Sequence, residues 1–298
     1  IGYPCKPKRP IGSSILQEIT IRKPSLDALM QTILLSGLFA GIVAVLVTMA
    51  IERWGGIVGG VLGTIPTTII PATIGIYLEA GSEDLATSMS LVSFGMLLNA
   101  LFIGAWIFYP SKKQNVSVTE MVIVSLTFWL ILAIIVTYFL EMTLDYTSEF
   151  IVSIVGLVLL LSLGIWMTWR SREAPKGKNK VSRNMLIIRG LAAAVAIGVA
   201  VQLSSIGQPL IAGLASVFPA IFLTTMAALW ISQGPEVPSG AAGPMMLGGA
   251  SVAVYSIIAP WALPEYGIIV GTIICWVGSI ISISLPAYGW LKSRELAN

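Results

Sequence analysis

The sequence predicts an all-α integral membrane protein with about nine transmembrane helices, arranged as a 4+1+4 inverted repeat. Three observations lead to this prediction: scarce charges, regularly spaced apolar stretches, and a match between the two halves of the chain. Of the 298 residues, 56% are hydrophobic and 10% are charged, whereas a soluble domain has about 25% charged residues. The mean hydropathy is +0.90. Such a chain has too few charges to cover a soluble globule of this size.

The composition excludes several classes of catalytic site. Because the chain has no histidine, it cannot form a His-dependent triad, a His-containing zinc site or an imidazole proton relay. Cys5 and Cys275 are too few for a disulfide framework or a four-cysteine metal site, so we expect two unpaired thiols. We therefore expect no metal and no cofactor. Nucleic acid is not an expected partner, because the basic residues are scattered over loops.

Nine stretches are long and apolar enough to cross a hydrocarbon core, which takes roughly 20 residues. They cover residues 28–50, 56–78, 85–108, 119–139, 150–169, 185–203, 210–231, 240–258 and 267–285. The predicted organisation is a polar tail over 1–27, a first four-helix repeat over 28–140, a linking helix with a basic loop over 141–184, a second repeat over 185–290, and a C-terminal tail over 291–298. Because the chain opens on Ile1 rather than Met, we expect its natural start to have been removed or lost.

The two halves match without gaps at an offset of 153 residues. This shift places Gly60 on Gly213, Pro66 on Pro219 and Glu83 on Glu236. Both halves therefore have a proline within their second span and a Gly-x-Glu turn after it. The fifth span has no counterpart, so it would reverse the orientation of the second repeat. Inverted repeats of this kind are typical of secondary transporters, whose substrate site lies near the membrane midplane.

The distribution of Lys and Arg favours an N-terminus on the outer side of the membrane. In that orientation the inner loops carry eleven basic residues and the N-terminal tail carries five. The inner residues are Arg53, Lys112, Lys113, Arg170, Arg172, Lys176, Lys178, Lys180, Arg183, Lys292 and Arg294. A re-entrant second span is an open alternative. It would place the tail and the basic loop on one side, but it would remove the simple inversion.

Two Gly- and Pro-containing segments are the candidate substrate site, since interrupted spans at matching positions are the typical signal of a transporter site. Each proline removes a backbone donor, and the freed groups must face protein or water. The predicted helix breaks are Pro66, Pro71 and Pro219. The predicted substrate contacts are Thr64, Thr67, Thr68, Asn99, Ser216, Thr224 and Thr225. The competing interpretation is that the hydroxyls bond to their own helices and the prolines only kink them.

Three polar side chains have two interpretations each, and a fourth is expected at the membrane surface. Asn99, near the centre of the third span, either contacts the solute or forms an interhelical hydrogen bond. Glu83 and Glu236 are gate candidates, or else carboxylates stabilised by the dipole of the helix that follows. Arg189, near the start of the sixth span, is expected to extend to the membrane surface beside the basic loop.

These features predict a secondary transporter or permease that moves a small neutral or cationic solute by alternating access. Acidic residues in the outer loops would attract cations. The alternative is a non-transporting membrane subunit that anchors or assembles a larger complex, as a homodimer or with a membrane partner. An enzyme is not expected, because no Asp or Glu lies at mid-span and the loops have no paired aspartate motifs.

Residues 59–66 (GGVLGTIP) and 212–219 (AGLASVFP) resemble the Gly-rich, Pro-centred helix of the GlpM-like membrane proteins. Because those proteins are shorter, the resemblance implies two such units fused through a linking helix. It implies no transport activity. The layout is also similar to the drug/metabolite transporter superfamily in length, half-repeat spacing and lack of buried charge. That resemblance implies ten spans, and a lost N-terminal helix would account for the tenth.

Overall fold

The computed structural model describes residues 26–54, 65–67, 69–113, 115–169, 182–206 and 208–296, and every regular element in these ranges is helical. The helices are α1 (Leu26–Trp54), α2 (Ile69–Lys112), α3 (Val118–Leu144), α4 (Glu149–Thr168), α5 (Arg183–Ser205), α6 (Pro209–Ser216), α7 (Ala220–Gln233), α8 (Glu236–Ser279) and α9 (Leu285–Leu296). A π-helical turn, Ile280–Ser284, joins α8 to α9. The predicted all-α class is confirmed for this part of the chain.

Six helical segments of the described chain are long and apolar enough to cross a membrane. They are Ile69–Lys112, Val118–Leu144, Glu149–Thr168, Arg183–Leu203, Leu210–Ile231 and Val237–Arg294. Large apolar side chains cover their outer surfaces; Ile134 and Phe139 of α3, for example, are 71% and 67% exposed. A contiguous apolar surface of this kind suits lipid rather than water. These features fit a multi-pass integral membrane protein.

The helices α2 and α8 are each bent at a glycine. Each has 44 residues, so a straight helix would be about 66 Å long, about twice the hydrocarbon thickness. Gly81 interrupts α2 with φ 81° and ψ -171°, and Gly267 interrupts α8 with φ 76° and ψ 170°. Only glycine adopts this backbone region readily. Each of these helices therefore joins two segments of different direction that are counted as one, which is one reason why the count of six differs from the nine spans expected.

The centre of the molecule is α2, which packs against α3, α4, α6 and α8. Its side chains Met89, Val92, Phe102 and Trp106 have no exposed surface. Further along the chain, a Cβ on Gly213 of α6 would lie 2.0 Å from the backbone oxygen of Ser88. The backbones of α6 and α2 are therefore in direct contact, which small residues permit between membrane helices.

A second close contact joins α1 and α5. A Cβ on Gly37 would lie 2.9 Å from the backbone oxygen of Ala194, and one on Gly41 would lie 2.8 Å from that of Gly190. The later residue of α1 meets the earlier residue of α5, so the two helices run antiparallel. Glycine allows the two backbones to approach this closely.

We expect Gly213→Ala to lower the free energy of unfolding by about 1–3 kcal/mol, because the new methyl group must separate α6 from α2. Thermal unfolding in detergent measures the effect. Gly289→Ala is the matched control, since a Cβ at Gly289 meets no atom within 4 Å and alanine favours a helix. Equal stability of the two variants would contradict the close contact between α6 and α2.

Candidate functional site

The chain between α6 and α7 is non-helical over residues 217–219. The N–H of Val217 donates to the carbonyl of Leu214 at 3.2 Å, and the N–H of Phe218 donates to that of Ala215 at 3.1 Å. Pro219 has no N–H, and α7 begins directly after it. The predicted break at Pro219 coincides with this interruption.

A turn at residues 65–67 precedes α2, and residues 55–64 before it lie outside the described part of the chain. We call this turn, at the predicted break of Pro66, and residues 217–219 the two breaks. The N–H and the hydroxyl of Thr67 both donate to the carbonyl oxygen of Ile65, at 2.7 and 3.3 Å. Pro66 is buried in this turn. Pro71 lies in the first turn of α2, where a missing N–H removes no helical hydrogen bond. Contrary to the prediction, Pro71 therefore does not interrupt the helix.

Asn99 of α2 holds the break at residues 217–219 in place. Its Nδ2 donates to the carbonyl oxygen of Val217 at 2.8 Å, and its Oδ1 accepts a hydrogen bond from Nε1 of Trp129 at 2.9 Å. The Trp129 ring in turn packs edge-on against Phe218, with ring centroids 5.4 Å apart. We refer to Asn99, Trp129, Val217 and Phe218 as the break clamp. The clamp satisfies a carbonyl at the break and supports the interhelical interpretation of Asn99.

A cavity of about 60 Å³ lies between the two breaks. We call it the break cavity. Its lining residues are Ala40, Ile65, Ile69, Met96, Asn99, Ala193, Ala196, Ile197, Ser216, Val217, Phe218, Ala220, Ile221, Phe222 and Val252. This volume holds a few water molecules or a small solute. The walls are mostly apolar, and the polar side chains among them are Asn99 and Ser216.

The predicted hydroxyl contacts bond to their own helices. Ser216 donates to the carbonyl of Gly213 at 2.6 Å, Thr224 to that of Ala220 at 2.7 Å, and Thr225 to that of Ile221 at 2.5 Å. Of these three, only Ser216 lines the break cavity. A hydroxyl that donates in this way still has a lone pair with which to accept a hydrogen bond. Thr64 and Thr68 lie outside the described residues.

The charged candidates occupy different environments. Glu83 is exposed beside the bend in α2, and Glu236 begins α8 with a side chain outside the described part of the chain. Arg189 is 1% exposed, so the prediction that it reaches the membrane surface is wrong. Its Nε, Nη1 and Nη2 have no hydrogen-bond partner among the described residues.

The sequence around Arg189 does not show that this side chain is buried. It lies four and eight residues before Ala193 and Ile197, and this spacing places all three on one face of α5. That face is buried, because it points into the protein. The apolar character of the whole helix concealed this pattern, since lipid-facing and protein-facing positions of α5 are equally apolar.

The described residues contain no group of three or more Cys, Asp and Glu side chains that could hold a metal ion. Cys275 is buried and unpaired. No protein-family model, curated protein or solved structure matches the chain. The two family resemblances therefore stay predictions, and the site is described by its geometry alone.

We expect Asn99→Leu to destabilise the protein by about 1–3 kcal/mol, because the carbonyl of Val217 and the indole N–H of Trp129 would both lose a partner. Unfolding of the purified protein in detergent provides the measurement. Ser125→Ala is a control, since the buried hydroxyl of Ser125 bonds only within its own helix. If Asn99→Leu unfolds no earlier than this control, the clamp does not stabilise the break.

Proposed function

We propose that the protein is a secondary transporter that moves a small solute by alternating access, with its site in the break cavity. The supporting observation is that Ile65, from the turn before α2, lines the same cavity as Val217 and Phe218, from the break between α6 and α7. Interrupted helices that meet near the midplane form the substrate sites of many transporters. The solute would contact the apolar walls and accept or donate hydrogen bonds at Ser216 and Asn99.

We further propose that the chain makes nine crossings as a 4+1+4 inverted repeat. The offset of 153 residues relates Gly81 to Gly234, and the two have similar backbone angles: φ 81° and ψ -171° against φ 87° and ψ 174°. The same offset relates the break at Pro66 to the one at Pro219. Matching irregularities are informative because each costs free energy and needs its own support.

The contact between α1 and α5 supports the inversion. The offset relates Gly37 to Gly190 and Gly41 to Ala194. In the structure Gly37 meets Ala194 and Gly41 meets Gly190, so each residue contacts the counterpart of the other. Reciprocal contacts of this kind are the mark of a two-fold axis. Because the two equivalent helices are antiparallel, the axis would lie in the membrane plane.

The central helix α4 fits the same axis. A Cβ on Gly156 would lie 2.9 Å from the ring of Phe94, and one on Gly164 would lie 3.1 Å from Cα of Leu247. Phe94 and Leu247 are related by the offset of 153. Successive parts of α4 thus contact equivalent positions of the two repeats, so α4 would serve as the element against which the repeats rock.

A non-transporting anchor or assembly subunit is the second candidate function. A groove of about 470 Å³ lies on the outer surface, mainly between α3 and α4. Its lining residues are Phe94, Ile135, Val136, Phe139, Leu140, Thr143, Thr147, Ile151, Val152 and Val155. A groove with such apolar walls could accept a helix of a membrane partner.

We expect the double variant Thr67→Val, Ser216→Ala to lower solute flux into proteoliposomes at least about tenfold, since it removes polar groups at both breaks. The probes are radiolabelled acetate, glycerol and ethylammonium, which are small enough for the break cavity and differ in charge. Flux of any one of them through the wild-type protein, above that of empty liposomes, identifies the transported class.

The matched control is Thr143→Val, Ser162→Ala. These two exposed hydroxyls also bond to their own helices but lie outside the break cavity, so flux should be unchanged. Equal flux through both double variants would place the pathway elsewhere. Absence of flux of every probe, together with recovery of a bound membrane partner, would favour the assembly subunit.

A further inference from the structure

Arg189 is a buried cation without a partner among the described residues. Its side chain is 1% exposed, and none of its guanidinium nitrogens has a hydrogen-bond partner there. The one salt bridge found in the described chain joins Lys113 to Glu120, away from α5. Arginine stays protonated in proteins, and a charge inside a membrane helix is costly unless it is paired. An anionic ligand would offset this cost.

Arg189 lies six residues after Arg183, the first residue of α5, and thus about 9 Å from the start of that helix. It directly precedes Gly190, whose backbone meets Gly41 of α1. Its side chain is buried inside the protein rather than extended to the surface. In membrane proteins, ionisable residues in such positions mark substrate and ion pathways.

The position of Arg189 on α5 links it to the break cavity. Ala193, Ala196 and Ile197 line that cavity, and Arg189 lies one turn before Ala193 on the same face, about 6 Å away along the helix axis. Helical side chains lean towards the start of their helix. Arg189 therefore lies between the cavity and the membrane face where α5 begins, and the sequence places the basic loop (residues 170–184) at that same face.

No acidic side chain is among the residues that line the break cavity in the described chain. The starts of α2 (Ile69) and α7 (Ala220) line it, and so does the end of α6 (Ser216). Helix starts and helix ends carry partial charges of opposite sign, so the helix ends alone do not select the charge of the solute. Arg189 is the charged side chain that would favour an anion there.

We propose that the transported solute is a small oxyanion, with a carboxylate or phosphate group that Arg189 binds beside the break cavity. This proposal rests on the proposed transport function and replaces the neutral or cationic solute expected from the acidic loops. Those loops lie at helix ends, whereas Arg189 lies one helical turn before Ala193, a residue in the wall of the break cavity. The planar guanidinium donates two parallel hydrogen bonds to either oxyanion group, and this pairing would compensate the buried charge.

Thermal unfolding in detergent tests the proposal with four probes at equal ionic strength: acetate, inorganic phosphate, glycerol and ethylammonium. Acetate or phosphate should raise the Tm of the wild-type protein up to a saturating value. An effect of acetate would indicate a carboxylate solute, and an effect of phosphate would indicate a phosphate-containing solute. Glycerol and ethylammonium should have no effect. In Arg189→Met the oxyanion should bind about 10- to 100-fold more weakly, while in Arg183→Gln, a matched change at the exposed start of α5, binding should be unchanged.

Two further readouts keep the test independent of folding and of transport. Without ligand, Arg189→Met should be at least as stable as the wild-type protein, because it removes an unpaired buried charge. If Arg189→Met fails to fold, Arg189→Lys replaces it in the test. Lysine keeps the positive charge but cannot donate two parallel hydrogen bonds as the guanidinium does, so it should still weaken oxyanion binding. Oxyanion binding that survives both substitutions, or no oxyanion binding to the wild-type protein, would overturn the proposal. If oxyanions bind but no solute crosses the membrane, the proposed transport function is wrong and the oxyanion site stands. If ethylammonium is transported and Arg189→Met does not affect its flux, the proposed oxyanion specificity is wrong and the transport function stands.

Discussion

Hydrocarbon offers no hydrogen bonds, so a helix that is interrupted inside a membrane must find donors for its freed carbonyls within the protein. In this protein the donor at the break between α6 and α7 is Asn99, which lies on α2 and bonds to the carbonyl of Val217. The contacts around this bond follow from the same requirement. The indole N–H of Trp129 donates a hydrogen bond to the side-chain oxygen of Asn99. Gly213 allows the backbone of α6 to contact α2. The break is thus an ordered element, and a cavity can form beside it.

In our proposal, the distribution of charged side chains distinguishes the two ends of the break cavity. Most charged side chains of the described chain lie near helix ends or beside the bends at Gly81 and Gly267, and among them Arg189 is the one that is buried. A single unpaired guanidinium in a surrounding of low polarity has a long-range effect, because few other charges screen it. In our proposal it makes the end of the break cavity nearer Arg189 positive. The scarcity of charge in the sequence thereby increases the influence of the one that is buried.

The sequence was sufficient to predict the all-α class, the interruption at Pro219 and a role for Asn99 in one of its two interpretations. Composition and periodicity determine these features locally. The sequence was not sufficient to show that Pro71 lies in the first turn of a helix, because a proline in that position and one in a helix interior are alike in sequence. It failed for Arg189 since burial depends on which neighbours pack against α5. The helical bonds of Thr224 and Thr225 likewise depend on rotamers that composition does not determine.

The central claim is that the break at residues 216–219 borders a space that water and solute can enter. Labelling with a charged, membrane-impermeant thiol reagent tests this most directly, using Ser216→Cys in a background of Cys5→Ser and Cys275→Ala in proteoliposomes. Thiols react as thiolates, which require water, so Ser216→Cys should be modified, whereas Ile134→Cys on the apolar outer surface of α3 should not. An unreactive Ser216→Cys, or equal reactivity at both positions, would contradict the account.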